Sequence, residues 1–230
     1  MKHIVVTKFN LPDGTGRHLD EAWLEDRFDL FERWALPSMI AQSADDFDWL
    51  VYCWHSTPER YKKKMSEYTK TYHQFTAVYL DGKDWPEIWG NWMSVIRDHA
   101  EKGVNLTTRI DSDDAVRYDY LECMREIAEP GIWTAFHFGL MHKDNQVYLR
   151  KYNRNPFLTY SEDIKNIDDI ETVNKFTHPR VPNIKYYPDT RPGWVQNAHE
   201  NTGWNKYTLL PENMIGNWFS FDGAKKEFGL

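Results

Sequence analysis

Short apolar runs alternate with helix-like segments along the first half of the chain. The runs are β-branched or aromatic and are bounded by turn residues, which predicts four strands: "HIVVTKFN", "FDWLVYCW", "FTAVYLD" and "VNLTTRI". Between the first two runs, Leu24, Phe28 and Phe31 fall at helical spacing. This alternation predicts an α/β fold with a doubly wound, mostly parallel sheet, and ligands of such sheets collect at the carboxyl ends of the strands.

The pattern changes after Gly131, where a mixed region begins. The stretch "IWTAFHFGLMHKDNQVYLRKYN" alternates around a "KDNQ" turn and predicts a β-hairpin. Two further helices are predicted, one over "AVRYDYLECMREIAEPG" and a weaker one over "IDDIETVNKF". No internal repeat or low-complexity linker divides the chain, so we expect a single domain in which the second half packs on the first.

Composition and charge narrow the class of protein. The chain has 230 residues, with 27% charged and 41% hydrophobic positions, which is typical of a soluble globular domain. A net charge of -7 and a single basic cluster, "YKKKM", argue against a general nucleic-acid binder. No apolar run reaches the roughly 18 residues that a membrane span needs, and "MKHIVVTKFN" does not resemble a signal peptide. We therefore expect a soluble, cytoplasmic protein without an integral membrane segment.

The cysteines and aromatic residues add two further expectations. Cys53 and Cys123 lie far apart in apolar or helical segments, which is typical of reduced core residues. Trp, Tyr and Phe make up 16% of the chain, with 11 Trp. Indole rings fill cores, but a flat ring also covers the apolar face of a sugar. The sequence leaves both uses open.

An acidic cluster, "DSDD", follows the fourth predicted strand and places Asp111, Asp113 and Asp114 together. Three carboxylates this close repel one another unless a cation or a proton relieves them. One interpretation is a helix cap, which accounts for one or two of the acids. A second is a divalent cation that bridges carboxylates to nucleotide phosphates. A calcium-binding EF-hand loop is excluded, because Val116 stands where that loop requires glycine.

Several sequence blocks resemble a known family. The triplet Asp111-Ser112-Asp113 matches the DxD motif of GT-A glycosyltransferases, which use nucleotide sugars. From about Arg27 to about Asn201, blocks of the chain are similar, in order, to those of a rhamnosyltransferase family within that fold: "RFDLFERWALPSMIAQS", "FDWLVYCWHSTPE", "TTRIDSDDAV", "NPFLTYSED" and "GWVQNAHENT". The resemblance implies a GT-A fold over residues 1–230, with a nucleotide-binding half at 1–130 and an acceptor-side, metal-completing half at 131–230.

The resemblance also implies a metal site. Asp111 and Asp113 are expected to contact both the nucleotide and the metal ion. A late histidine often completes the metal sphere in GT-A enzymes, and His199 stands at the matching place, with His178 as the alternative ligand. Mn²⁺ and Mg²⁺ are the expected ions, since both accept oxygen-rich sites.

The remaining predicted site residues concern the nucleotide and the acceptor. Thr7, at the end of the first strand, is expected to contact the nucleobase or ribose by analogy with the fold. Arg109 lies two residues before Asp111, on the same strand face, and is expected to orient that carboxylate or to meet the nucleotide. Glu162 and Asp163 are candidates for the base that takes the acceptor proton, and a helix-capping role stays open for both.

These observations lead to one function and two rivals. The hypothesis is a metal-dependent glycosyltransferase that moves a hexose, with rhamnose as one candidate, from a nucleoside diphosphate sugar to a glycan or another acceptor. The first rival is a nucleotide-sugar hydrolase or nucleotidyltransferase that uses the same cation. The second is a non-catalytic carbohydrate-binding protein in which the acidic cluster holds a structural ion.

Overall fold

In the computed structural model, which describes residues 1–143, 146–198 and 214–230, the strands of the described residues form two sheets. The strands are β1 (Lys2–Lys8), β2 (Asp48–Trp54), β3 (Phe75–Leu80), β4 (Gly103–Arg109), β5 (Ala115–Val116), β6 (Trp133–Ala135), β7 (Phe138–Lys143), β8 (Gln146–Lys151), β9 (Thr159–Ile164), β10 (Ile184–Tyr186), β11 (Trp194–Asn197) and β12 (Met214–Ser220). The α-helices are α1 (Glu21–Arg33), α2 (Ala35–Ile40), α3 (Glu59–Thr71), α4 (Trp85–His99) and α5 (Tyr120–Glu126).

The larger sheet has seven strands among the described residues, in the order β10-β6-β9-β4-β1-β2-β3. Strands β4, β1, β2 and β3 are parallel, and β9 runs antiparallel to both β4 and β6. The predicted mostly parallel sheet is therefore confirmed. The chain passes from β1 through β2 to β3 and then returns to the other side of β1 to form β4. This reversal makes the carboxyl ends of β1 and β4 a topological switch point, which is where such sheets bind ligands.

Apolar side chains cover both faces of the larger sheet. On one face Val5 packs in a cluster with Phe28 of α1, and α2, α3 and α5 contribute to the same cluster. On the other face Ile4 and Val6 pack with Trp92 of α4. Strands that are buried on both faces have near-continuous apolar runs, which explains the "HIVVTKFN" pattern. The doubly wound arrangement is thus confirmed, and among the described residues no helix has the length and apolar character to cross a membrane.

The smaller sheet connects the second half of the chain to the acidic cluster. Its described strands lie in the order β12-β8-β7-β11-β5. The antiparallel pair β7 and β8 is the hairpin that was predicted around "KDNQ". Strand β5, directly after "DSDD", pairs with β11 through Val116 and Trp194. This pairing places β11 beside the acidic cluster.

One predicted helix is wrong in its start, and another is not formed. The helix expected from Ala115 begins at Tyr120, because Ala115 and Val116 pair with β11 instead. The "IDDIETVNKF" segment forms two 3-10 turns, Ile167–Asp169 and Val173–Lys175, and no α-helix. Between these turns Thr172 has a φ of 69°, which lies outside the helical region. Local contacts with β9 override the weak helical pattern.

Candidate active site

A cavity of about 410 Å³ opens at the carboxyl ends of β1 and β4. Residues from α1, α4 and the second half of the chain complete its walls around the acidic cluster. Besides that cluster, the lining side chains include Lys8, Trp23, Arg27, Trp85, Arg109, Pro156, His178 and Gln196. The cavity therefore coincides with the switch point of the sheet, and it mixes carboxylates with cationic and aromatic groups.

Asp111 is held by the last residue of β4. Arg109 donates from Nη2 to both carboxylate oxygens of Asp111, at 2.9 and 3.1 Å, and from Nε to Oδ1 at 3.1 Å. Residues two apart on a strand share a face, so the sequence spacing produces this contact directly. About a third of the Asp111 side chain is exposed, at 33%. Arg109 thus orients a carboxylate that still opens to the cavity.

Asp113 is held from α1. Arg27 Nη1 lies 3.1 Å from Asp113 Oδ2 and donates to Ser112 Oγ at 3.3 Å. The Arg27 guanidinium also lies 4.9 Å from the centre of the Trp23 ring, one helical turn earlier. Helix α1 packs against the sheet through Phe28, which brings its neighbour Arg27 to the cavity. The acidic cluster is therefore clamped between a strand and a helix.

Asp114 is buried and connects the cluster to β11. Its Oδ1 accepts a hydrogen bond from the backbone amide of Asn197 at 2.8 Å. Burial raises the pKa of Asp114 well above its ordinary value, and the charges of Asp113 and Asp111 raise it further. The capping alternative is wrong for this cluster, because α5 begins at Tyr120 with Asp119 in the N-cap position.

Thr7 does not line the cavity. Its side chain is buried, and its hydroxyl accepts a hydrogen bond from Trp49 Nε1 at 2.9 Å. The expectation of a nucleotide contact at Thr7 is corrected by this burial. The next two residues, Lys8 at the end of β1 and Phe9 directly after it, line the cavity.

Glu162 and Asp163 lie away from the cavity. Strand β9 is antiparallel to β4, and Glu162 is in register with Asn105, six residues before Asp111. Six strand residues span roughly 20 Å. The buried Glu162 carboxylate accepts from the backbone amides of Glu171 and Thr172, at 3.0 and 3.1 Å. The structure therefore does not bring these acids to the acidic cluster. The helix-capping alternative is also wrong, because both acids lie within strand β9.

The structure describes one of the two histidines that were expected near the metal. His199 lies outside the described residues. His178 lines the cavity, where its Nδ1 lies 2.7 Å from the carbonyl oxygen of Arg154. A carbonyl accepts, so Nδ1 carries the proton and Nε2 is the nitrogen that can meet a ligand. Burial lowers the pKa of His178, which favours the neutral form that binds metals.

The donor chemistry of the acidic cluster fits a hard divalent cation. Among the described residues, no group of three His, Cys, Asp or Glu side chains is arranged to hold a metal ion by itself. Mg²⁺ is commonly held by one or two carboxylates together with substrate phosphates, so a complete protein cage is not required. Asp111 and Asp113 are the carboxylates that can serve in this way.

Several cavity residues were missed at the sequence level. Lys8 lies inside the predicted first strand, and the observed β1 ends at this residue, which places Lys8 at the same edge of the sheet as "DSDD". Trp85 begins the helix after β3 and lies at the same edge of the sheet. Arg27 had no comparable signal, because its contact with Ser112 joins residues 85 positions apart.

Comparison with solved structures gives remote similarities. The structure of S. aureus TarS 1-349 in complex with UDP is 14% identical, with a TM-score of 0.44, over 86% of this chain and 60% of that chain. A nucleotide-diphospho-sugar transferase from Desulfovibrio desulfuricans G20, described as putative, is 14% identical with a TM-score of 0.39, over 92% and 90% of the two chains. The chain thus spans about 60% of the TarS structure. No curated protein matches this chain.

One family model matches most of the chain. Its description is "Putative rhamnosyl transferase", and the match runs over residues 15–201. That range includes α1 with Arg27, the acidic cluster after β4, and β11 with Asn197, so the segments that build the cavity lie within the match. The chain belongs to the family described as putative rhamnosyl transferases.

Proposed function

We propose that the protein is a glycosyltransferase that moves a hexosyl group from a nucleoside diphosphate sugar to an acceptor hydroxyl. The family description favours rhamnose as the sugar. The observation that carries the proposal is the cavity at the switch point, where the carboxylates of Asp111 and Asp113 meet Lys8, Arg27 and Arg109. A sugar diphosphate with its counter-cation has the charges that this mixture complements.

In the transfer, the anomeric carbon leaves the diphosphate and joins the acceptor oxygen. The electron pair of the broken C–O bond stays with the nucleoside diphosphate, and the acceptor hydroxyl releases its proton to a base or to water. Negative charge therefore develops on the diphosphate. Lys8 and Arg109 line the cavity beside the cluster and stabilise that charge through preorganised donors.

Mn²⁺ or Mg²⁺ is part of the proposal. Asp111 and Asp113 would hold the ion, with His178 or His199 as the further ligand. When bound, such an ion supplies Lewis-acid stabilisation of the diphosphate leaving group. Arg109 and Arg27 keep the two carboxylates oriented, and Asp114 ties the cluster to β11 through Asn197.

A transfer assay tests the proposed function. The purified protein is incubated with a panel of nucleoside diphosphate hexoses and candidate acceptors, and both nucleoside diphosphate release and product formation are measured. Replacing Asp111→Asn and Asp113→Asn together is expected to lower transfer at least about 100-fold, because the variant loses the two carboxylates that would hold the cation beside the diphosphate. The charge-matched control replaces Asp29→Asn and Asp98→Asn, which are exposed on α1 and α4, and is expected to keep activity.

Two results contradict the proposed function. If the Asp111 and Asp113 double variant still transfers sugar, the acidic cluster has no role in the mechanism. Release of nucleoside diphosphate that is independent of every acceptor supports a nucleotide-sugar hydrolase instead.

A further inference from the structure

Helix α4 presents two exposed tryptophans beside the candidate active site. Trp85 and Trp89 are 47% and 37% exposed, which is unusual for the largest apolar side chain. They are four residues apart, so their side chains are neighbours on the helix surface. Trp85 lines the cavity of the acidic cluster, whereas Trp89 lines a second groove. The aromatic surface therefore leads out of the proposed active site.

The tryptophans rest on a rigid support. The Trp89 ring stacks on the buried Trp92 ring at 6.0 Å, and Trp92 in turn stacks on Tyr52 of β2 at 3.9 Å. The ammonium of Lys8 lies 5.6 Å from the centre of the Trp85 ring and 5.3 Å from that of Trp92. An aromatic side chain fixed in advance loses little conformational entropy when a ligand stacks on it. The pair is thus a preorganised surface.

The second groove continues this surface with polar groups. It has a volume of about 500 Å³, and its lining includes Trp89, Met93, Arg97, Glu171, Asn174 and Lys175. The amide Nδ2 of Asn174 is buried and has no hydrogen-bond acceptor among the described residues. Turning this amide toward a ligand hydroxyl would give it a partner, and an unpaired buried donor is costly.

Residues of α4 line both the cavity and the groove. Trp85, Trp89, Met93 and Arg97 follow one another at four-residue spacing. At 1.5 Å per residue, the row from Trp85 to Arg97 covers roughly 18 Å. A ligand that fills this row is longer than a single sugar and extends from the reaction centre across the surface.

We propose that the acceptor is an oligosaccharide chain that lies along α4. Its terminal sugar enters the cavity of the acidic cluster, the next sugars stack on Trp85 and Trp89, and the following ones form hydrogen bonds in the groove. Sugars present an apolar face to an indole ring and hydroxyls at their edges, which matches the alternation of rings and polar groups. This inference rests on the proposed function, since it names the acceptor of that same site.

Charge favours a glycan over a lipid bilayer. Interfacial helices that bind anionic membranes carry a strongly basic polar face. The groove instead combines Arg97 and Lys175 with Glu171, and Lys175 Nζ pairs with that carboxylate at 2.5 Å. Groups of both signs suit a neutral chain of hydroxyls.

A glycan-binding experiment tests the inference. Wild type and variants are applied to an array of defined oligosaccharides that range from monosaccharides to hexasaccharides, and the affinities are confirmed by titration. The wild type is expected to bind more tightly as the chain length increases. Trp89→Ala is expected to weaken binding of the longer chains about tenfold, whereas Trp89→Phe keeps most of it. The control is Tyr118→Ala, which removes another aromatic side chain that is 43% exposed.

The outcomes separate this inference from the proposed function. Nucleotide binding is measured on the same preparations and is expected to be unchanged in Trp89→Ala, which also shows that the variant is folded. Nucleotide binding without length-dependent glycan binding overturns the acceptor track and leaves the proposed function standing. Binding to phosphatidylcholine–phosphatidylglycerol vesicles that Trp89→Ala abolishes, without glycan binding, also overturns it. Absence of nucleotide binding in the wild type contradicts the proposed function itself.

Discussion

Each acid of the "DSDD" cluster has a different partner. Asp111 is paired with Arg109 on the same strand, Asp113 with Arg27 on α1, and buried Asp114 with the backbone of Asn197. A ligand that enters the cavity therefore competes with existing ion pairs. Such pairs keep the carboxylates oriented and lower the repulsion between them, so the cluster is stable enough to be folded before a ligand arrives.

His3 makes folding stability sensitive to acid. It is fully buried on β1, and its Nδ1 accepts from Arg125 Nε at 3.2 Å while Nε2 donates to Thr108 Oγ1 at 2.7 Å. Burial and the charge of Arg125 lower the pKa of His3 to about 3. Because the folded pKa is below the unfolded value of about 6.5, stability is complete above pH 6.5 and decreases as the pH falls toward 3.

We predict that the wild type loses about 2 kcal/mol more unfolding free energy between pH 7 and pH 5 than His3→Asn does. Urea denaturation at both pH values measures this difference. The control is His73→Asn, which replaces an exposed histidine and is expected to follow the wild type. Equal pH dependence in wild type and His3→Asn would show that His3 is not buried in its neutral form.

At the scale of elements, sequence periodicity predicts well where one face must be buried. The four parallel strands and the helices between them are confirmed, because core packing and local pattern agree. The helical pattern is misleading near Thr172, because two backbone amides there donate to the carboxylate of Glu162 on β9. Such a contact leaves no periodic signal. The antiparallel pairing of β5 with β11 is equally invisible, since two residues are too few to show alternation.

Glu162 on β9 has a structural role. We predict that Glu162→Gln lowers the unfolding free energy by about 1–3 kcal/mol, because two buried amides lose a charged acceptor, and that kcat stays close to the wild-type value. Denaturation and transfer assays measure the two effects. Loss of a general base would instead lower kcat about 10²–10⁴-fold, and that result would restore the catalytic hypothesis. The matched control is Asp163→Asn, which replaces the neighbouring exposed acid.

At the scale of the whole molecule, topology explains why the site could be anticipated and why parts of it could not. The strand-end rule locates "DSDD" and Arg109 at the correct edge because parallel strands bring their carboxyl ends together. The walls contributed by Arg27, His178 and Gln196 come from segments distant in sequence. The position of these residues in the cavity wall depends on how the helices and the smaller sheet pack, and no local sequence pattern encodes that packing.

The most direct test of the central claim is nucleotide binding at the acidic cluster. Thermal unfolding is followed with UDP, GDP, CDP and dTDP, each with and without Mn²⁺, on wild type, Asp113→Asn and the control Asp98→Asn. One nucleotide at about 100 times its Kd is predicted to raise the wild-type Tm by roughly 5 to 10 °C with Mn²⁺. The same shift is expected in Asp98→Asn and is expected to be lost in Asp113→Asn. No shift with any nucleotide, or a shift that Asp113→Asn retains in full, would contradict a nucleotide site at this cluster.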